Sequence, residues 1–361
     1  MSETTSQPRV PAIAELAPTI PALEQSPGLA LPDSATEVWA RPTGSAIVHR
    51  ALLGEAAAPL AGALLRRRPQ TVGSVITGAF GAADDLALVI AALVARESEA
   101  GHPLLKWEVR PGQDVDPAAH GFRALRTPHR SGDGTEPGIR GWVRDLVDWP
   151  RGEVAYYRQT TDFTCGGVSA LLALEAVGER LLGDDVDANR LTELRTWRTA
   201  TNVPACDPLA LAVTVDRLRG DAHRVEVYLD TDEPVLLEDL DDPAELSFRA
   251  DLQRLAAREL AEREVVWHHE RLGMDQVAAA VGAGAVAILL IDLEPLIDDP
   301  TPHWVVASAV RDGVLLIDDP WVETEIGESW VMTHELPMTG DALDGVVRWG
   351  RGYRGVILLH R

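Results

Sequence analysis

The chain of 361 residues contains two cysteines, Cys165 and Cys206. Cys165 lies in QTTDFTCGGVSALLALEAVG (159–178), where a polar lead-in gives way to small and apolar residues. A nucleophilic cysteine needs thiolate character, a base and room for a substrate. From Gly166 to Val177 only Ser169 and Glu175 are polar, the pattern of a helix buried all round. The start of such a helix leaves backbone N–H groups unpaired, and these favour negative charge on a thiol placed there. Gly166 and Gly167 remove side-chain bulk at the same point. An ordinary buried cysteine fits the position equally well, because free cysteine is among the most buried residue types. Cys206, in NVPACDPLA ahead of a proline-opened helix, reads as structural.

Ten histidines are available as the base, most of them in polar or terminal contexts. His334, in VMTHELP, has no acidic strand end in view. His303 differs, since it opens the apolar run HWVVASAV just after the polar turn DDPTP. That run and the next, VLLIDDP, are joined at Arg311-Asp312-Gly313, a hairpin signal. Residues symmetric about the turn face one another, so His303 is expected opposite 319–320. Asp319 then fits as the carboxylate that orients the imidazole, Asp318 points to the other face, and Pro320 ends the ladder. Gln159 stands six positions before the thiol, and its amide N–H could join the Cys165 backbone N–H at a developing oxyanion. His268, His269 and Glu270 are contiguous, so their side chains diverge. With no HExxH pattern, no metal site is expected.

Taken together, QTTDFTCGG (159–167) and HWVVASAVRDGVLLIDDP (303–320) resemble the C39-like cysteine peptidase family, over roughly residues 150–361. The resemblance implies a papain-like fold, with a central helix packed on an antiparallel sheet. It places Gln159 where the family has its oxyanion-hole glutamine and Cys165 where it has its nucleophile. His303 takes the position of the general base and Asp319 that of its orienting aspartate. The implied activity is cysteine-dependent acyl transfer on an amide, peptide or thioester, hydrolytic in a peptidase or amidase. An amine acceptor would make the same residues a ligase or transpeptidase, and a catalytically inactive peptide-binding or interaction protein is the third reading. No cofactor is implied. The span from Cys165 to His303 is longer than in compact leader-peptide proteases, and the acidic stretch around 230–262 accounts for part of the excess. Family members that cut after Gly-Gly are often fused to export transporters. None is attached here, so that substrate class is not carried over. Position 167 is glycine where many stand-alone relatives have proline.

The elements that must position these residues follow an α+β order in the second half: helices from Cys165 and over 207–220, then strands at HRVEVYLD, GAVAILLIDL, the 303–318 hairpin and GYRGVILLH. The expected organisation is a peripheral tail over 1–35, a small α/β domain over 36–128, a linker over 129–149 and the thiol-bearing domain over 150–361. In the small domain, the helix at 84–100, LLKWEV and AAHGFRAL (118–125) are similar to the closing part of a GNAT acetyltransferase. The family's phosphate-cradling loop is not evident. Its nearest counterpart, GSVITGAFGAAD (73–84), lacks the arginine and the spacing, which implies a degenerate or scaffolding domain. A hydrophobic fraction of 46% supports a core of this size, and two cysteines exclude a disulfide-rich scaffold. No apolar run reaches the length of a membrane span, and no secretory signal opens the chain, so a cytoplasmic location is expected. The net charge of −23 argues against nucleic acid and fits solubility, or a basic protein partner.

Overall fold

The computed structural model describes residues 10–132, 138–149, 154–263 and 265–361. The chain divides into two compact units. The first gathers Met1–Leu125, Pro137–Asp148 and Glu323–Val331, and the second gathers Arg126–Glu136, Trp149–Val322 and Met332–Arg361.

The first unit is built on a seven-stranded sheet. Its strands are β1 (Ala12–Leu16), β2 (Ile47–Glu55), β3 (Ala58–Arg67), β4 (Ser74–Gly81), β5 (Leu104–Val109), β6 (Arg123–Ala124) and β7 (Arg140–Asp145), in the order β1-β2-β3-β4-β5-β7-β6. Two helices accompany it, α1 (Asp33–Trp39) and α2 (Ala83–Glu99). In α2, Leu86, Val89, Ile90 and Leu93 recur at helical spacing and are buried, while Asp84 and Asp85 stand in its first turn. Only β4 and β5 run parallel, so this unit is α+β and not the α/β domain expected of it. Two boundaries also move. Residues 12–16, expected in a peripheral tail, pair with β2 from Ala12↔Leu52 to Leu16↔Val48. AIAEL is too short to declare itself, and its strand character comes from the β2 edge whose backbone groups it satisfies. The expected linker contains β7, paired with β5 from Leu104↔Asp145 to Val109↔Arg140, although its residues 133–137 lie outside the described ones. Late residues close the unit. Arg68 meets Glu328 with two hydrogen bonds of 2.7 and 2.5 Å, both side chains 1% exposed. Arg66 donates to the carbonyls of Ile326 and Gly327, and Ser329 donates to Glu108.

The second unit carries another seven-stranded sheet and the remaining long helices. In chain order they are α3 (Cys165–Ala176), α4 (Val186–Ala200), α5 (Pro208–Leu218), β8 (Arg224–Leu229), α6 (Pro243–Glu262), β9 (Val266–His268), α7 (Met274–Gly282), β10 (Val286–Asp292), β11 (Pro302–Arg311), β12 (Val314–Asp318), β13 (Leu336–Thr339) and β14 (Gly355–His360). The sheet order is β13-β12-β11-β10-β14-β8-β9. Apolar VAILLID makes β10 the central strand, buried on both faces. The sheet is antiparallel except for β8 and β9, which run parallel and depart from the all-antiparallel expectation. Every residue of α3 is buried, against β10, β11, α4 and α5. Of its polar members, Ser169 donates to the Trp304 carbonyl at 2.8 Å, and Glu175 Oε1 lies 3.3 Å from His129 Nε2. Truncating a core leucine here, such as Leu172, is expected to cost about 2–5 kcal/mol.

The β11–β12 hairpin turns at Asp312 and Gly313, both at positive φ (49° and 78°), the geometry that suits a DG pair. Between Ala307 and Ala309 a bulge shifts the register, and the ladder ends at Val306↔Asp318. His303 therefore has no ladder partner at 319–320. It reaches Asp319 by its side chain instead.

Candidate active site

Cys165 opens α3, directly after Thr164. The apolar run of this helix fixes it in the core and sets the thiol in the wall of a cavity of about 160 Å³. Phe163, Pro204, Leu236, Pro302 and Trp304 line that cavity, with Asp162 among them. The two glycines permit close packing at this point. A Cβ on Gly166 would stand 3.0 Å from Cys206 Cβ, and one on Gly167 would stand 2.9 Å from the Trp197 backbone nitrogen.

His303 is buried, and its Nε2 lies 2.7 Å from Asp319 Oδ1. The Cys165 thiol also acts on this imidazole and favours its protonated form. Burial alone pushes this histidine down. The Asp319 carboxylate, by charge and hydrogen bond, and the Cys165 thiol outweigh it and push His303 up to about 10 from the ordinary 6.5. The ring is thus protonated at neutral pH, between a carboxylate and a sulfur.

The carboxylate is itself held in place. Asp319 Oδ1 accepts the Trp321 N–H at 2.8 Å, the Asp319 N–H donates to the Thr333 carbonyl at 3.0 Å, and its carbonyl accepts the Tyr156 hydroxyl at 2.7 Å. The Gln159 N–H donates to the Pro320 carbonyl at 3.0 Å, which ties the lead-in segment to the end of the hairpin. The Gln159 side chain is buried and its Nε2 donates to the Thr161 carbonyl at 2.9 Å, which leaves the second N–H of that amide. Of the four residues singled out in the sequence, Cys165, His303 and Asp319 meet through their side chains. Gln159 joins them through the backbone and the turn ahead of the thiol.

Other groups depart from the sequence reading. His334 does have an acidic partner, since its Nδ1 lies 2.6 Å from Asp318 Oδ1 and both residues are buried. The Asp318-Asp319 doublet at the end of β12 thus engages two histidines, His334 and His303. His268 stacks on Tyr228 and His269 pairs with Asp232. Among the described residues no group of three or more His, Cys, Asp or Glu is placed to hold a metal ion. The Cys206 thiol is pushed well up, by burial first and then by Asp207 and Cys165, which suppresses its thiolate.

The sequence reading missed Glu193 altogether. It sits in the middle of α4, 0% exposed, and accepts hydrogen bonds from the Tyr157 hydroxyl (2.9 Å), the Thr160 N–H (2.8 Å), the Thr160 hydroxyl (2.8 Å) and the Thr164 hydroxyl (2.5 Å). The available signal was the helical spacing of Asn189, Glu193, Thr196 and Ala200, which all prove buried.

The chain belongs to the Peptidase_C39 like family, whose model matches residues 154–360, more than half of its length. Solved structures similar to the chain, with the likeness in its N-terminal part, are acetyltransferases. The ribosomal-protein-S18-alanine N-acetyltransferase of Escherichia coli is 17% identical, with 41% of this chain and 100% of that one covered and a TM-score of 0.26. A Bacillus subtilis acetyltransferase in complex with CoA is 11% identical, with 39% and 100% covered and a TM-score of 0.25. A putative GNAT-family acetyltransferase of Desulfovibrio desulfuricans is 19% identical, with 38% and 100% covered and a TM-score of 0.24. No curated protein matches the chain. Among the described residues, no helix is long and apolar enough to cross a membrane.

Proposed function

We propose that the second unit is a thiol-dependent acyl-transfer enzyme of the peptidase or amidase type, on a papain-like arrangement of helix and sheet. The observation that carries this reading is the buried imidazole of His303, 2.7 Å from the Asp319 carboxylate, with the Cys165 thiol acting on its proton. Membership of a peptidase-like family supports it. In the proposed reaction the Cys165 sulfur attacks an amide or thioester carbonyl while its proton resides on His303. The Gln159 amide and the Cys165 backbone N–H take the developing oxyanion. The C–N or C–S bond then breaks as His303 protonates the departing amine or thiol, which leaves an acyl-thioester on Cys165. Water, losing a proton to His303, attacks that thioester, releases the acid and restores the thiol.

Asp319 keeps the imidazole in one orientation throughout and stabilises its charge, the role a triad carboxylate plays. Acetyl transfer is not assigned to the first unit. Its α2 helix begins with Asp84 and Asp85, which repel the anionic phosphates that a helix N-terminus otherwise attracts.

The test uses a thiol-directed peptidyl vinyl sulfone and mass spectrometry of the labelled peptides. Labelling of Cys165 over Cys206, lost on unfolding and weakened in H303A, is expected. Full turnover of an amide or thioester substrate by C165A would sink the proposal.

A further inference from the structure

We infer that the cavity beside Cys165 is a specificity pocket for an apolar side chain, of leucine or phenylalanine size, on the residue whose carbonyl the thiol attacks. The inference rests on the reading of Cys165 as nucleophile. The cavity runs from Asp162 and Pro204, which are exposed, to a floor of Leu236, Cys206, Leu290 and Trp304, all buried. Gly166 brings that floor up to the helix that bears the thiol. A Cβ there would meet Cys206 Cβ at 3.0 Å and Trp304 Cδ1 at 3.2 Å, so glycine lets both side chains pack directly against the first turn of α3. The floor carries no charge, since burial holds the Cys206 thiol protonated. Its one side-chain N–H is used, because Trp304 Nε1 donates to the Cys206 carbonyl at 3.0 Å.

Size and polarity define the occupant. The volume of about 160 Å³ compares with roughly 150 Å³ for an apolar core cavity that holds benzene. A leucine or phenylalanine side chain would fill it, and glycine would leave it without an occupant. A polar group would give up its hydrogen bonds to water and find no N–H on the floor, and a carboxylate would also face Asp162 at the mouth. The side of the scissile bond follows from the partners of the sulfur. The leaving amine or thiol must come within reach of His303, which protonates it. The described residues that line the cavity include Cys165 but neither His303 nor Gln159, so the cavity serves the acyl side. In the acyl-thioester the carbonyl carbon is bonded to sulfur, and the next atom is the Cα of the attacked residue. The Cα before it lies about 3.8 Å further along the chain. A cavity with Cys165 in its wall is matched to the first of these two residues.

The experiment uses the full-length protein and acetyl-Ala-Xaa vinyl sulfones that differ only in Xaa, the residue bearing the sulfone. Xaa is Gly, Ala, Leu, Phe, Glu or Lys, and the second-order rate of Cys165 modification is read from the labelled peptide by mass spectrometry. A second series holds Leu next to the sulfone and varies the residue before it. Leu and Phe are expected to react at least about 50-fold faster than Gly, because one missing methylene in an apolar pocket already costs about tenfold. Glu is expected to be no faster than Gly. A205L narrows the cavity and is expected to lower the Leu-to-Gly ratio about tenfold, whereas L236A widens it and is expected to raise the Phe-to-Leu ratio about fivefold. Circular dichroism checks the fold of both variants, and if A205L does not fold, L236A carries the comparison. A rate independent of Xaa, Glu or Lys as the fastest member, or a preference confined to the second series overturns this inference alone. Ratios that neither variant moves do the same. If no member of either series modifies Cys165, the nucleophile reading falls and this inference with it.

Discussion

Replacing Asp319 by Asn removes a charge and leaves the shape of the site nearly unchanged, so it isolates what the carboxylate does to His303. The two side chains are 2.7 Å apart, at 4% and 1% exposure. At an effective dielectric constant of about 20, that separation gives an attraction of about 6 kcal/mol for the imidazolium. Burial opposes part of it. Moving a histidine from 6.5 to about 10 corresponds to a net preference of about 5 kcal/mol for the charged ring. In D319N the attraction is gone and burial acts against the charge, with only the Cys165 contact to offset it. The imidazolium is then expected to give up its proton below the ordinary histidine value. The assay is a titration of ¹³Cε1-labelled histidine by NMR, with the His303 signal assigned from its absence in H303A. In wild type the signal is expected to keep the imidazolium shift across neutral pH and to move near pH 10. In D319N it is expected to move below about 6.5. Stability follows with a definite sign. Since His303 is raised in the folded state, its contribution is complete below about 6.5 and is lost as pH rises through about 10. D319N is expected to lack that alkaline loss. A wild-type His303 that titrates near 6.5, or one whose titration D319N leaves in place, would refute the electrostatic reasoning.

Three further outcomes are expected. G167A places a methyl group against the Trp197 backbone, which has little freedom to retreat, and is expected to cost about 1–3 kcal/mol in thermal or urea unfolding. Asp207 is raised from 3.8 to about 6, by burial, against backbone hydrogen bonds, among them those from Ala210 and Leu209, that lower it. A raised carboxyl favours its protonated form, so D207N is expected to stabilise the protein at pH 7 and to lose that advantage as pH falls from about 6 to about 4. R68A leaves Glu328 buried without its cation and is expected to cost about 3–5 kcal/mol, seen as a lower unfolding midpoint of the first unit.

Much of the local architecture was legible because it rests on neighbours in sequence. The bounds of α3 follow from a polar-to-apolar switch at Cys165, and the hairpin follows from DG between two β-type runs. The approach of His303 to Asp319 followed from that hairpin even though its register did not, because a bulge near Ser308 shifts the pairing without a sequence mark. What stayed hidden depends on partners remote in sequence. Glu193 looks solvated until Tyr157, Thr160 and Thr164 close over it, and His334 looks isolated until Asp318 reaches it from β12. β1 is a strand only because β2 offers it an edge, and β7 was masked by the glycine-rich stretch ahead of it.

The discontinuity of the first unit bears on how the protein is made. Synthesis runs from the N-terminus, and domains generally fold as they emerge. Here Arg68 must wait for Glu328, and Glu108 for Ser329, so residues 1–148 leave the ribosome with a buried-charge site still open. That site closes only when nearly the whole thiol-bearing unit has been translated. The two units therefore reach completion together, and no single proteolytic cut between them would release an intact first unit.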